Sequence, residues 1–341
     1  MRPARAGIAR AGQVVLVLAA AAWGALAMHF LLRLPAAAVW ALIAAWLALA
    51  AAAAWRLLGR SGPGWPPLAF ALAFAGLQAA YWAMPPRQDR DWADDVARRL
   101  RPEVHGARVV LHDVRDFDWR SDSDYTVRWE TREYDLDRLA SADLALSYWM
   151  GPAIAHTLVS FGFDDGSRVV FSLEIRKERG ESFSALGGFF RKFEETLVAA
   201  DERDILRVRT NVRGEDMYLY RLAIPRDKLR ELFLGYVARA QALDRAPRFY
   251  NTLTSNCTTV VFELARRLDP GLPLDWRLLL SGYSAQYAYD QHALLPGHTF
   301  DQLRRAGHVT ARARAAGDAA DFSRRIRAGM PDELPEPPHE R

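Results

Sequence analysis

The sequence lacks acid at one end. No Asp or Glu occurs before Asp89 in the 341-residue chain, whereas seven of its 45 Lys and Arg residues do. That leaves 38 basic against 41 acidic residues from Asp89 onward, so the formal charge of +4 belongs to the N-terminal stretch and the remainder is near −3. A high isoelectric point of this origin is not the basic folded face that nucleic-acid binding requires, and no nucleic-acid partner is expected. Cysteine is nearly absent as well. With Cys257 alone, an intrachain disulfide framework and any multi-cysteine metal site are excluded. The eight histidines show no ligand spacing, so neither a metal nor a cofactor is expected. No internal repeat is present.

What the N-terminal stretch does contain is long apolar runs. Gln13 to Leu32 and Ala36 to Trp55 are free of charge, and Leu68 to Met84 is a shorter third run behind Trp65-Pro66-Pro67. About 20 apolar residues cross the hydrocarbon core as a helix, with about 17 near the lower limit. Three spans are therefore expected, at about 13–32, 36–55 and 68–84. The first is read as retained rather than as a cleaved leader. Arg2, Arg5 and Arg10 in the tail and Arg56 and Arg60 in the second loop outnumber Arg33 in the first loop. Basic segments stay in the cytoplasm, and an odd number of spans then puts the rest in the periplasm of a bacterial inner membrane. The expected layout is a membrane region over 1–86, a periplasmic domain over 87–310 and a loose polar tail over 311–341.

The exported part reads as α+β, an antiparallel sheet with helices packed on it. A short amphipathic helix is expected over Trp92–Leu100 and another helix over Leu136–Tyr148. Strands are expected over Arg108–Val114, Tyr125–Tyr134, Ile154–Phe163, Arg168–Arg176, Leu206–Asn211 and Met217–Ile224. Long helices follow over Arg226–Leu243 and Thr258–Leu268.

Cys257 sits in Tyr-Asn-Thr-Leu-Thr-Ser-Asn-Cys-Thr-Thr, directly before an apolar helix. Thr254, Ser255 or Asn256 can serve as N-cap, and each choice places Cys257 in the first turn. The positive end of the helix dipole favours a thiolate there, and the same N–H groups can hold an oxyanion during acyl transfer. The alternative is a buried Cys that happens to open a helix, a small hydrophobe. A nucleophilic thiol needs a base. His156 lies on the strong strand Ala-His-Thr-Leu-Val-Ser-Phe-Gly-Phe, and Asp164-Asp165-Gly166 marks a hairpin turn after it. A hairpin turning about Asp165 faces His156 with Glu174, whose carboxylate would orient the imidazole. Ser172 shares that face and replaces Glu174 if the register slips. Tyr250, Asn251, Asn256 and Asn211 are candidate substrate-binding residues. For Asn211 the competing reading is a solvated turn with Arg213, Glu215 and Asp216.

Four blocks occur in one order: the His156 strand, then Ser-Leu-Glu-Ile-Arg-Lys-Glu, then Arg-Thr-Asn-Val-Arg-Gly-Glu-Asp, then the Cys257 segment. Together they resemble the Lnb N-terminal periplasmic domain family, over about Trp92 to Ala306. That family is similar to the circularly permuted NlpC/P60 papain-like enzymes, in which His precedes Cys. The resemblance implies a papain-like antiparallel-sheet-plus-helices fold and a catalytic Cys257, His156 and Glu174 in an inner-membrane protein. It implies a thiol acyltransferase that N-acylates lipoproteins with acyl chains from phospholipid, making phospholipid and a lipidated protein N-terminus its substrates. The competing expectations are a cysteine amidase or peptidase on cell-wall peptide, and a non-catalytic envelope-binding module in which Cys257 is structural.

Overall fold

A computed structural model describes residues 2–59 and 64–331. Arg60, used above to orient the spans, and residues 332–341 lie outside the described residues. The chain forms two compact units, Met1–Arg87 with Ser184–Lys192, and Gln88–Phe183 with Phe193–Arg341.

The first unit holds α1 (Arg2–Leu31), α2 (Ala36–Leu58), α3 (Trp65–Ala83) and a short α4 (Ala185–Phe189). Ile8–Leu31 and Ala36–Leu58 are long and apolar enough to cross a membrane. The third helix also forms, with Pro66, Pro67, Gln78 and Tyr81 diluting its apolar character, and by length and composition the described residues hold two candidate spans. Small residues let α1 and α2 approach closely. A side chain at Gly24 would meet the Trp46 ring at 2.6 Å, and Trp46 Nε1 donates to the Ala21 carbonyl at 2.9 Å. Beyond α4, Arg191 lies over the rings of Tyr81 and Trp82, 4.6 and 4.5 Å from their centroids, and Phe190 stacks on Phe30.

The second unit is built on a mixed sheet. Its strands are β1 (Arg101–His105), β2 (Arg108–Arg115), β5 (Trp129–Asp135), β6 (Leu139–Tyr148), β7 (Ala155–Phe163), β8 (Arg168–Arg176), β9 (Glu194–Ala200) and β10 (Asp216–Arg221), and β3 (Asp118–Trp119) and β4 (Tyr125–Thr126) pair separately. The order is β1-β2-β9-β8-β7-β6-β10, with β5 also on β2. All pairings are antiparallel except β2 with β9. Helices cover both faces. On one, α6 (Arg226–Arg245) and α7 (Cys257–Leu268) bring Phe233, Tyr236, Val260 and Leu264 against Phe161 and Phe171. On the other, Ile205 of α5 (Glu202–Arg207), Ala313 of α10 (Thr310–Ala316) and Phe322 of α11 (Phe322–Ile326) meet Leu158, Val170 and Val198. Two covered faces explain why every residue of β7 is buried. Two further short helices, α8 (Ser284–Asp290) and α9 (Phe300–Gly307), complete the unit.

Four sequence expectations are corrected. Leu136–Tyr148 is not a helix: Leu136–Arg138 makes one 3₁₀ turn and the Ala- and Leu-rich remainder is β6, held between β7 and β10. Burial on both faces outweighs its helix propensity. Leu206–Asn211 is not a strand. Asp201 caps α5 by accepting from the Arg203 amide, and the helix widens into a π turn at Val208–Val212. Trp92–Leu100 contains only the 3₁₀ turn Asp94–Val96. The tail expected to be loose from 311 is folded to residue 331, and Phe322 and Ile326 are fully buried.

A buried charge network pins that tail. Arg327 reaches Asp143 at 2.8 Å and Glu202 at 2.5 Å, Arg221 and Arg168 also bind Asp143, and Ser160 donates to Glu202. Burial alone pushes both carboxylates up, but the guanidiniums, Arg327 foremost, hold them below the ordinary range. Removing Arg327 takes away the main cation of buried Glu202, leaving the Ser160 hydroxyl and the more distant charge of Arg168. Arg327→Ala is expected to cost about 3–5 kcal/mol, read by urea unfolding of the whole chain in mild detergent. Because the folded carboxylates titrate below their unfolded values, the wild-type advantage is full above about pH 5 and drains away as the pH falls. A loss under about 1 kcal/mol would show that the network does not hold the tail.

Candidate active site

The Cys257 helix begins where it does because Asn256 caps it. The Asn256 Oδ1 accepts from the amides of Thr258 and Thr259, both at 2.9 Å, and Thr259 Oγ1 accepts from the Asn256 amide at 2.8 Å. This reciprocal capping box makes Cys257 the first helical residue. The cap occupies two of the first-turn donors, the Thr258 and Thr259 amides, and does not engage the Cys257 amide. Cys257 is partly buried, and its sulfur lies 4.0 Å from Thr258 Oγ1.

The base comes from the sheet. Residues of β7 and β8 pair as Leu158–Ser172, Val159–Phe171 and Ser160–Val170, the register of a hairpin about Asp165. The ladder stops at Leu158–Ser172, short of His156 and Glu174, and α7 packs against both strands. His156 Nε2 lies 2.7 Å from Ser172 Oγ and 3.1 Å from Glu174 Oε1, and Ser172 Oγ donates to the same carboxylate oxygen at 2.7 Å. The hairpin therefore brings both candidate third members together. Nε2 is engaged by this pair, and the imidazole and the Cys257 thiol line one pocket, close enough for their charges to couple.

A fourth side chain, which the sequence reading did not single out, completes the group. Arg209 donates to Glu174 Oε1 at 3.1 Å and to Glu215 Oε2 at 3.4 Å. It stands on the π turn, a distortion that recurs at functional sites. Its only signal in the sequence is its place as the first residue of the Arg-Thr-Asn-Val-Arg-Gly-Glu-Asp block.

These neighbours set the charges. Burial pushes the Cys257 thiol up, but the His156 imidazolium outweighs it and holds the thiol below its usual value. Burial pushes His156 down, and the Glu174 carboxylate, opposed in part by Arg209, lifts it to about 9. Burial raises Glu174 too, yet His156 and Arg209 hold it well below the carboxylate range. These shifts favour a thiolate–imidazolium pair backed by a carboxylate. Such a pair is a nucleophile with its own proton donor.

The pair opens into a pocket of about 230 Å³. Tyr250 lines it, and burial together with the Cys257 charge keeps the phenol protonated and able to donate. Trp149 and Phe183 form a T-shaped pair at the pocket, both about 45% exposed. Three candidate binding residues do not line this pocket. Asn256 is spent on the cap. Asn251 Oδ1 accepts from the Leu253 and Thr254 amides in a local turn. Asn211 donates to the Ala313 carbonyl of α10 and accepts from Thr210. In each, a backbone or neighbouring partner consumes the amide.

Residues 125–282 match the Lnb N-terminal periplasmic domain family, the family to which the four sequence blocks point. No curated protein and no solved structure matches the chain. With the two long apolar helices, the match describes an inner-membrane protein that carries a periplasmic domain.

The charge arrangement predicts how the thiol reacts. Iodoacetamide should alkylate Cys257 in the folded protein with a midpoint well below the free-thiol value of about 8.5, and His156→Ala should move that midpoint up. A thiol that reacts only after denaturation would contradict the pair.

Proposed function

We propose that the protein is a membrane-tethered periplasmic cysteine acyltransferase that moves an acyl chain from phospholipid, through a thioester on Cys257, to an amine such as the N-terminus of a lipidated protein. The observation that carries this reading is that Cys257, the first residue of a capped helix, and His156, held by Glu174, line one pocket and couple electrostatically. The chain order His156, Glu174, Cys257 fits the permuted NlpC/P60 papain-like arrangement. A lipid substrate is favoured over a cell-wall peptide by the exposed Trp149, Met150 and Phe183, of which the first and last line the pocket.

In the first half-reaction the thiolate attacks the ester carbonyl carbon and a C–S bond forms. The Cys257 amide and the Tyr250 hydroxyl are the donors that would face the oxyanion. The C–O bond to glycerol breaks, the imidazolium gives its proton to the departing alkoxide, and lysophospholipid leaves. In the second half, a neutral amine attacks the thioester, a C–N bond forms and the C–S bond breaks. His156 takes the amine proton, which restores the ion pair. Glu174 orients the ring and stabilises its charged form. In this reading α3 is the third span, which puts the soluble unit on the periplasmic side.

Intact-protein mass spectrometry after incubation with phospholipid tests the chemistry. One acyl mass on the protein, absent from Cys257→Ser and His156→Ala, is the expected result. A peptide-derived acyl group would mark an amidase instead, and a folded His156→Ala protein that still acylates would place the base elsewhere. Glu174→Gln should retain some activity, with a loss on the order of 10- to 10⁴-fold. Removing that carboxylate lowers the imidazole, so the alkaline limb of the pH–rate profile should move to lower pH. Topology is tested by a reporter fused near Thr310, and activity of a cytoplasm-only reporter there would overturn the three-span arrangement.

A further inference from the structure

We infer that a second cleft, opening beside the thiol pocket, is the acceptor site, and that it admits a peptide amine in its ammonium form; this rests on the acyltransfer reading above. The cleft measures about 750 Å³, roughly three times the thiol pocket, and Trp149, Arg213 and Glu215 line both. A hydrolase needs only water to resolve its acyl-enzyme. A transferase must hold a second substrate against the thioester, and a cavity that shares three lining residues with the reactive one is the place for it.

The walls indicate what that substrate is. Tyr148 meets Tyr218 edge-on at 5.5 Å between centroids, Tyr218 stacks with Tyr220 at 6.3 Å, and Tyr220 stacks with Phe300 at 6.0 Å. One edge of this aromatic wall is fixed by Tyr148 Oη, which donates to the Gly282 carbonyl at 2.6 Å. A side chain at Gly282 would strike the Pro152 carbonyl oxygen at 2.1 Å, so the cleft floor is closely packed. Three carboxylates, Glu215, Asp216 and Asp301, line the cleft against two guanidiniums, Arg213 and Arg304. Asp216 accepts from His308 at 2.5 Å and Thr310 at 2.7 Å, and these bonds outweigh its burial and keep it ionised. Asp301 lies exposed in the first turn of α9. Arg304 already lies over the Tyr218 ring at 5.6 Å, and Arg209 and His308 bind Glu215 and Asp216, so among the described residues Asp301 is the lining carboxylate left to attract an organic cation. A primary amine is largely an ammonium near neutral pH, so the cleft gathers the cation; it gives one proton to bulk water before attack, and the second passes to neutral His156 as the C–N bond forms and the C–S bond breaks. An acyl chain is a poor occupant, since hydroxyl, carboxylate and guanidinium groups line the walls.

The test uses the full chain in phospholipid nanodiscs, loaded to the acyl-enzyme. Loss of the acyl mass is followed against rising concentrations of a Ser-Gly-Ser tripeptide with a free N-terminus, and separately against hydroxylamine, which is small and neutral and needs no cleft. Asp301→Lys should raise the half-saturating tripeptide concentration roughly 5- to 10-fold, and Asp301→Asn by less. Tyr283→Ala, at the opposite wall, should raise it as well. The hydroxylamine rate should stay unchanged in all three. Unchanged tripeptide saturation in both Asp301→Lys and Tyr283→Ala, or equal changes for the two nucleophiles, would overturn the assignment of the cleft while leaving the acyltransfer reading intact. If the unaltered protein forms no acyl-enzyme at all, the acyltransfer reading itself falls, and this inference with it.

Discussion

The largely buried carboxylate of Glu174 is the constraint around which the second unit is arranged. An ionised carboxylate taken out of water is costly unless cations and hydrogen bonds replace the solvent. Here one oxygen takes contacts from three side chains: His156 on the neighbouring strand, Ser172 on its own strand and Arg209 on the π turn. No local stretch of chain could assemble that set. The hairpin supplies two of the partners, and the third requires a distorted helix turn to reach across from the sheet's other covering layer.

The same charge governs the sulfur. Glu174 raises the imidazole, and the imidazolium in turn lowers the Cys257 thiol against the upward push of burial. Because each group's ionisation depends on the next, the chemistry belongs to the chain of contacts more than to the cysteine. Arg209 opposes Glu174 at His156 while steadying the carboxylate itself, so the balance is graded rather than maximal. Beyond Arg209, Glu215 carries the connection to the second cleft, which shares Trp149 and Arg213 with the thiol pocket and adds a wall of tyrosines.

A second buried network, around Asp143 and Glu202, follows the same rule for a structural purpose. It explains why a tail rich in Arg and Ala folds at all. Arg327 finds its partners on β6 and α5, far away in the chain, and Phe322 and Ile326 fill the gap beneath α5 and α10. Composition near the C-terminus carries no trace of those distant carboxylates.

What the sequence determined by itself were the features whose causes are local. Charge-free runs of about twenty residues define apolar helices, polar residues before Cys257 cap a helix, and a turn at Asp165 between two alternating apolar segments sets the register that faces His156 with Glu174. Tertiary structure decided the rest, because the deciding groups are remote. Leu139–Tyr148 became a strand because two other strands flank it, against its own propensity. Asn211, Asn251 and Asn256 read as binding residues by type, but the partners that consume their amides are set by backbone geometry in the turn and the cap and by the distant α10. Arg209 entered the site only through a helix that widens by one residue at that point. A charge in a sequence states what a side chain can bind, and only the folded neighbours state which partner it meets and whether water is there to compete.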